Sequence, residues 1–213
     1  MLIASYNPDA MGDTLIVVLA QDQPGETHQQ FGDIVAISDA QGKVVGYNFF
    51  NVSQILGALS DRGQVFLTDT QVDKLNAAIT AAGAPGQLVA DHDPKLVIGV
   101  VNELAAHPDS DHLHVGQIDV GWPETVQIVC GAPNVAAGQH VVVALPGAMM
   151  PTGQIIWPGA LRGVDSYGMI CAARELGVPG APDRHGILVM PDDLAAGTPF
   201  DMDVAIKVVA AQA

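Results

Sequence analysis

The sequence predicts two domains, an α+β domain followed by an all-β domain built as a small barrel. The first 90 residues combine apolar runs of strand length with one segment of helical period. The remainder consists of short apolar runs separated by Gly and Pro, which is typical of a small Greek-key barrel. A short polar segment ending in Pro94 indicates a linker between them. The predicted divisions are domain 1–90, linker 91–94, domain 95–203 and C-terminal tail 204–213.

Three apolar runs predict strands in the first domain. Thr14–Leu19 is continuously apolar after its threonine and short enough for a buried strand. Asp33–Ile37 and Lys43–Phe49 flank a polar loop that ends in Gly42, and this pattern predicts a hairpin. The turn-rich stretch 22–32 is predicted to be a mobile loop.

One helix is predicted in the first domain, beginning just after Thr70. Thr70 is a suitable N-cap because its hydroxyl can accept a hydrogen bond from the first turn, with Asp73 at the third helical position. Gly83 is placed to end the helix in the left-handed conformation. Three apolar residues spaced three or four apart predict its buried face: Val72, Leu75 and Ile79.

Five runs predict the strands of the second domain. Each is apolar or alternating and is bounded by turn residues. They are Lys95–Val101, Leu113–Val120, Val126–Val129, His140–Ala144 and Gly186–Met190. This pattern does not separate an OB-fold from other small barrels.

Composition indicates a folded globular protein, with 49% hydrophobic and 15% charged residues. No run approaches the ~18 apolar residues of a transmembrane helix. The stretch Met1–Tyr6 lacks the basic region and long apolar run of a signal peptide. A cytoplasmic location is therefore expected.

The chain is strongly acidic. Eight Lys and Arg against 23 Asp and Glu give a formal net charge of −15. The excess is shared, with a net of −8 before Pro94 and −7 from Pro94 onward. Phosphate binding usually draws on clustered cations, so any binding of a nucleic acid by such a chain must be local, weak or dependent on stacking and backbone donors. An acidic surface also favours solubility.

The sequence contains none of the common catalytic signatures, such as GxxxxGK[ST], GxGxxG after a strand, HExxH or GxSxG. Asp192 and Asp193 are expected in a solvated turn, because a catalytic carboxylate pair needs burial to separate its pKa values. Cys130 and Cys171 are expected to be packed thiols, since no general base is placed beside either. We therefore expect no enzyme activity and no cofactor.

A cluster of histidines and aspartates raises the question of a metal site. Imidazole and carboxylate are common zinc ligands, but the spacing matches no standard zinc module. We therefore expect no metal to bind. The cluster comprises His107, Asp109, Asp111, His112 and His114.

Five blocks of the second half resemble a known family in their order, spacing and identity. They are His107–Leu113, Gln127–Val135, Ala144–Ala148, Arg162–Cys171 and Arg174–Gly177. They resemble the tRNA-binding domain of the EMAP-II and bacterial phenylalanyl-tRNA synthetase β-chain class. The first half resembles the N-terminal domain of the stand-alone YtpR-type tRNA-binding proteins. The residues that support this second resemblance are Tyr6–Asn7, Gly46–Asn51 and Asp73–Asn76.

The resemblance implies an OB-fold, a five-stranded Greek-key barrel with short helical additions, that binds tRNA with little sequence preference. The family's Ser-x-Gly-Met block corresponds to Ser166, Gly168 and Met169. The family's lysine in the first block is replaced by His112. An imidazole attracts phosphate less at neutral pH than in acid. The resemblance places the first block, His107–Leu113, as a turn between two strands, with its aspartates capping the turn. It implies no role for the first domain.

Six residues are predicted to bind RNA: His112, Arg162, Ser166, Gly168, Met169 and Arg174. The arginines and protonated His112 would pair with phosphates, Ser166 would hydrogen-bond to a phosphate or ribose, and Gly168 would allow close backbone approach. Tyr167 and Trp157 are equally suited to stacking on bases or to packing in the core.

The acidic charge favours an alternative, a protein-interaction module that retains the OB-fold and docks on a translation protein such as an aminoacyl-tRNA synthetase. A homodimer is a further expected partner arrangement.

Overall fold

The computed structural model describes residues 1–60 and 62–212, which belong to two compact units, Met1–Asp93 and Pro94–Ala213. As predicted, most of the regular structure is β, with two large sheets and few helices. Among the described residues, no helix is both long and apolar enough to cross a membrane.

The strands described in the first unit form one antiparallel sheet in the order β3-β4-β5-β2-β1-β6. The strands are β1 Ile3–Tyr6, β2 Thr14–Val18, β3 Thr27–Phe31, β4 Ile34–Ser38, β5 Val44–Phe50 and β6 Gly63–Val65. The helices are α1 Pro8–Met11, α2 Ser53–Leu56 and α3 Asp69–Ala82.

The predicted strands of the first unit are confirmed, and the predicted loop is wrong in part. β4 and β5 form the expected hairpin, and Gly42 lies in its loop with φ +83°. Residues 22–32, predicted to be a mobile loop, contain β3, which pairs with β4 at the edge of the sheet. β3 was missed because four of its five residues, Thr27 to Gln30, are polar and exposed, so it lacks the apolar alternation of a half-buried strand.

Helix α3 begins earlier than predicted. Its N-cap is Thr68, and Thr70 lies within the first turn, so the predicted cap is wrong. Gln71 N donates to Thr68 Oγ1 (3.3 Å) and Gln71 Oε1 accepts from Thr68 N (2.9 Å), a reciprocal pair that satisfies two backbone donors. The predicted C-cap Gly83 is confirmed, with φ +69°. The predicted buried face is also confirmed: Val72, Leu75 and Ile79.

An asparagine fixes the segment that follows α3. Asn76 Nδ2 donates to Leu88 O (2.9 Å), and Asn76 Oδ1 accepts from Leu88 N (2.8 Å). The fully buried Tyr47 donates its hydroxyl to Pro85 O (2.5 Å), and burial raises the pKa of this phenol. These bonds hold Leu88 in the core without a further strand.

Asp13 joins α2 to the sheet. Its carboxylate accepts from the Ser53 hydroxyl (2.6 Å), from Ser53 N (3.1 Å) and from the Tyr6 hydroxyl (3.1 Å). These hydrogen bonds, led by the one from the Ser53 hydroxyl, lower the pKa of Asp13. Deprotonated Asp13 therefore stabilises this junction.

The second unit contains a larger and a smaller sheet. The larger has the order β13-β10-β7-β8-β9, with β14 also paired to β10, and the smaller is the hairpin β11-β12. The strands are β7 Leu96–Ala106, β8 His114–Asp119, β9 Val126–Cys130, β10 His140–Ala144, β11 Gly159–Leu161, β12 Val164–Ser166, β13 Met169–Ile170 and β14 Val189–Met190. The helix is α4 Met202–Gln212.

Each predicted run of the second unit contains a strand, although β14 occupies only two residues of Gly186–Met190. β7 extends beyond its predicted end because a bulge between Val101 and Glu103 lets pairing with β8 continue. Residues 204–213, assigned to a tail, fall largely within α4. Ala205 and Val209 of this helix are buried in the core.

Strand β10 is covered on both faces. Val142 and Ala144 belong to the cluster that α4 joins, whereas Val141 and Val143 belong to a second cluster with β8 and β9. Burial on both faces accounts for the unbroken apolar sequence of β10. At the other end of the sheet, β9 bonds to the segment before β13, since Tyr167 N donates to Gln127 O (2.9 Å).

Candidate nucleic-acid interface

The turn between β7 and β8, residues 107–113 (the β7–β8 turn), is organised by a histidine and a serine. His107 is buried, and its Nδ1 accepts from Asp109 N (3.0 Å). Ser110 Oγ accepts from Leu113 N (3.3 Å). The predicted turn is confirmed. The backbone donors of Asp109 and Leu113 are capped by this imidazole and this hydroxyl, and not by the aspartates that were expected to cap the turn.

The β11–β12 hairpin docks its tip on the β7–β8 turn. His107 Nε2 lies 3.1 Å from Leu161 O, and Arg162 Nη1 donates to Asp109 O (3.1 Å). Because Nδ1 of His107 accepts a backbone bond, the proton sits on Nε2 and the ring is neutral. Arg162 occupies the tip with φ +46° and is exposed. The hairpin thus brings the predicted Arg162 to the turn that contains the predicted His112.

His112 is exposed on this turn and is already engaged by an acidic neighbour. Its Nδ1 lies 2.9 Å from Asp111 Oδ1. This hydrogen bond is the main reason that the pKa of Asp111 is lowered. A phosphate approaching His112 must therefore compete with the Asp111 carboxylate.

Ser166 lies beneath the surface, and Gly168 next to it is half-buried. Ser166 is 4% exposed, and its hydroxyl accepts from Val129 N (3.0 Å) while donating to Gly168 O (3.3 Å). Gly168 has φ +144°, and a Cβ there would lie 2.8 Å from Ala144 O. The hydroxyl is thus used inside the protein, and the glycine allows close approach to the β10 backbone.

Met169 and Arg174 both line a surface groove of about 430 Å³ (the Met169 groove). Its other lining residues include Gly131, Pro133 and Glu175. A second cavity of about 510 Å³ (the Arg184 pocket) shares Arg174 with the groove. The structure therefore brings these two predicted residues together on one surface.

The groove and the β7–β8 turn are neighbours. Gly131 lines the groove, and a Cβ on it would lie 3.1 Å from Leu113 Cδ2. In the sheet, His114 at the end of the turn pairs with Cys130. His112 and Arg162 therefore lie at the turn, beyond the end of the groove that Met169 and Arg174 line.

The two candidate stacking aromatics differ in exposure. Tyr167 is 45% exposed, and its hydroxyl contacts Asp165 Oδ2 (3.4 Å). Trp157 is half-buried. Tyr167 is thus the better placed of the two to stack on a base.

Two residues of this surface were not predicted. His185 Nδ1 lies 3.4 Å from Arg174 Nη2. Asn134 Oδ1 accepts from Ile187 N (2.8 Å) and its Nδ2 donates to Ile187 O (3.0 Å), which fixes the loop that carries His185. Asn134 lies in one of the family-like blocks, a signal that could have drawn attention to it. His185 lies outside every block and gave no such signal.

The thiols are packed, as predicted. Cys130 and Cys171 are both buried, and burial raises the pKa of Cys171 to about 12 and also raises that of Cys130. Within residues 1–60 and 62–212, no group of three His, Cys, Asp or Glu side chains is arranged to hold a metal ion. The surface formed by the β7–β8 turn and the Met169 groove is instead suited to binding through cations, polar groups and an aromatic ring.

Comparison with protein families gives a match for each unit. Residues 21–91 match a domain of unknown function, and residues 96–199 match the model described as "Putative tRNA binding domain". The chain is 45% identical to the "Putative tRNA-binding protein YtpR" of Bacillus subtilis over 200 residues, covering 92% of this chain and 98% of that protein.

A second relative matches the second half. The phenylalanine–tRNA ligase β subunit of Latilactobacillus sakei is 51% identical over 108 residues, or 49% of this chain and 13% of the subunit. Among solved structures, a MetRS-related protein from Pyrococcus horikoshii aligns with a TM-score of 0.38 and 17% identity, covering 54% of this chain and 99% of that protein.

Proposed function

The chain belongs to the family of YtpR-type tRNA-binding proteins, and on that premise we propose that it binds tRNA, without catalysis, through residues 95–203. The relatives favour tRNA binding over the alternative, an acidic protein-interaction module. The observation that carries the proposal is the convergence of His112, Arg162, Met169 and Arg174 around the β7–β8 turn and the Met169 groove.

The six predicted residues take two kinds of role in this proposal. Arg162 and Arg174 pair with phosphates, and His112 joins them when it is protonated and released from Asp111. Met169 lines the surface on which RNA lies. Ser166 and Gly168 act as positioning residues, because the buried hydroxyl and the close approach to Ala144 fix the segment that leads into β13.

We further propose that β7, β8, β9, β10 and β13 are the strands of a five-stranded OB-type Greek-key barrel. The hydrogen bond from Tyr167 N to Gln127 O supports closure between β9 and the approach to β13. In this proposal residues 1–90 form an α+β domain to which no role is assigned, and residues 91–94 are the linker.

The proposed RNA contact involves few phosphates. The proposed contact uses Arg162, Arg174 and, when protonated, His112, which is two or three cations in a unit with five Lys and Arg against twelve Asp and Glu. Two or three phosphate contacts correspond to a slope of roughly −2 in a plot of log K against log[salt]. We therefore expect weak, salt-sensitive binding that strengthens in acid as His112 becomes cationic.

We propose a cytoplasmic location, because that is where tRNA is used, and two assemblies: a homodimer and a complex with an aminoacyl-tRNA synthetase. Light scattering coupled to size-exclusion chromatography, with the protein alone and mixed with a synthetase, checks both. A monomeric mass in both runs would contradict them.

The test of tRNA binding is fluorescence anisotropy of labelled tRNA titrated with the full chain at about 50 and 200 mM salt, at pH 6 and 7.5. Saturable binding that weakens with salt and strengthens at pH 6 is expected. R162Q and R174Q should each weaken it several-fold, whereas K207Q removes one charge from exposed Lys207 of α4 and should leave it within twofold. No binding at low salt at either pH would refute the proposal.

A further inference from the structure

The Arg184 pocket is a built cavity with an apolar floor. Its volume of about 510 Å³ lies within the roughly 300–1,000 Å³ range of small-molecule sites. Ile187, Leu188 and Val209 line it and are each at least 90% buried. A planar, partly apolar group therefore has a surface to lie against.

The rim of this pocket has the opposite character. Arg174, Arg184 and His185 line it, so two of the three arginines of the second unit meet here. Arg174 Nη2 donates to His185 Nδ1, which leaves the proton of that neutral ring on Nε2, available for donation. None of the described residues that line the pocket is Asp or Glu, in a chain with 23 of them. The nearest side-chain carboxylates in sequence, those of Asp183 and Glu175, are absent from the lining. The pocket is thus suited to an anion.

The wall of the pocket is fixed by hydrogen bonds from two parts of the unit, Asn134 and α4. Asn134 bonds to both backbone groups of Ile187, and Gly186 has φ +147° with a Cβ position only 2.8 Å from Asn134 Oδ1. From α4, Gln212 Nε2 donates to Val189 O (3.1 Å). A cavity fixed in this way pays little ordering entropy when a ligand enters.

We propose that the Arg184 pocket takes a single unpaired nucleotide of the bound RNA, with its phosphate at Arg174, Arg184 and His185 and its base against the apolar floor. Arginine pairs phosphate in a bidentate manner, and bases bind sequence-tolerantly by their faces. A nucleotide fits this pocket better than free inorganic phosphate, because phosphate alone would leave the apolar floor uncovered. The pocket is also better suited to a single nucleotide than a flat protein surface would be, since a flat surface would accept only bases that stack on it. This inference rests on the proposed tRNA binding and names what part of the RNA this pocket holds.

The test combines a small probe with tRNA, using the full-length ¹⁵N-labelled protein. AMP, inorganic phosphate and adenosine are titrated separately, and amide shifts are followed in the wild type, R184Q and K207Q. Labelled tRNA is titrated against the same three proteins by anisotropy. K207Q is the matched control, because it removes one positive charge from an exposed residue of the same unit that does not line the pocket.

The expected result is saturable AMP shifts centred on Ala172, Gly186 and Ile187, with adenosine and phosphate each weaker. R184Q should weaken AMP about tenfold and tRNA several-fold, and K207Q should change either by less than twofold. Two results together would overturn the nucleotide pocket and leave tRNA binding standing. The first is that AMP causes no shifts, or causes shifts that R184Q does not alter. The second is that R184Q and K207Q bind tRNA equally well. Absence of tRNA binding by the wild type would overturn both.

Discussion

Replacing Ser166 with alanine separates a positioning role from a direct RNA contact. The Ser166 side chain is 4% exposed, and its hydroxyl is the partner of Val129 N at 3.0 Å and of Gly168 O at 3.3 Å. S166A removes one oxygen and leaves the backbone donor of Val129 in a strand residue that is only 7% exposed. The main loss should therefore appear in the folding of the second unit.

The size of the loss follows from these two bonds. A buried backbone donor left without a partner costs about 1–3 kcal/mol, and alanine fills the methylene volume of serine, so no large cavity adds to the cost. We expect the free energy of unfolding of the second unit to fall by about 1–3 kcal/mol. Intrinsic tRNA affinity, measured well below the unfolding transition, should stay within about threefold of the wild type.

Tryptophan fluorescence makes the measurement specific to the second unit, because both tryptophans, Trp122 and Trp157, lie in it. Urea unfolding is followed with excitation selective for tryptophan. S110A is the matched control, because it also removes a hydroxyl that accepts a backbone hydrogen bond, from Leu113 N (3.3 Å), but in a turn that water can reach. This substitution should lower the free energy of unfolding by less than about 1 kcal/mol. An S166A protein as stable as the wild type but deficient in tRNA binding would refute the positioning role.

Three further outcomes are expected. H112K should raise tRNA affinity at pH 7.5 several-fold, steepen the salt slope by about 0.7–0.9 and reduce the strengthening in acid. An unchanged slope in anisotropy titrations would argue against a phosphate at this position. Folding lowers the pKa of Asp13, so its carboxylate stabilises the fold above about pH 4 and loses this effect as the pH falls further. The difference in free energy of unfolding between wild type and D13N, measured by circular dichroism, should therefore narrow in acid. Iodoacetamide at pH 8 should label neither Cys130 nor Cys171 in the native protein and both in guanidinium, as checked by mass spectrometry; rapid native labelling would show that burial does not suppress their thiolates.

Apolar patterning was sufficient to locate most strands and the buried face of α3. It identified β10 from an unbroken valine run and α3 from Val72, Leu75 and Ile79, because burial requires those residue types. It missed β3, whose polar residues pair by backbone alone, and β11 and β12, whose residues are mostly exposed. It also missed β1, β6 and β13, which at two to four residues are too short to show a clear period. A strand at a solvent-exposed edge of a sheet is held mainly by backbone hydrogen bonds, so its side-chain pattern does little to predict it.

The candidate site was partly predictable for a related reason. Arg162 and Arg174 were found because cations are scarce here, and Met169 because it sits in a family-like block. The role of Ser166 was not predictable, since its partner Val129 is 37 residues away and belongs to another strand. His185 depends on the same kind of long-range placement, through the loop that Asn134 holds.

Each unit contains a loop that is held by the side-chain amide of one asparagine, and the hold requires both the nitrogen and the oxygen of that amide. The amides of Asn76 and Asn134 each bond to both backbone groups of one residue, Leu88 and Ile187 respectively. Aspartate has almost the same shape, but when ionised it only accepts hydrogen bonds, so the bond to the carbonyl becomes a repulsion between two oxygens. Spontaneous deamidation, which changes mass by about one dalton and volume hardly at all, would therefore loosen both loops. In an ageing sample, deamidation of Asn134 is expected to loosen the wall of the Arg184 pocket, and deamidation of Asn76 to loosen the hold on Leu88 in the first core.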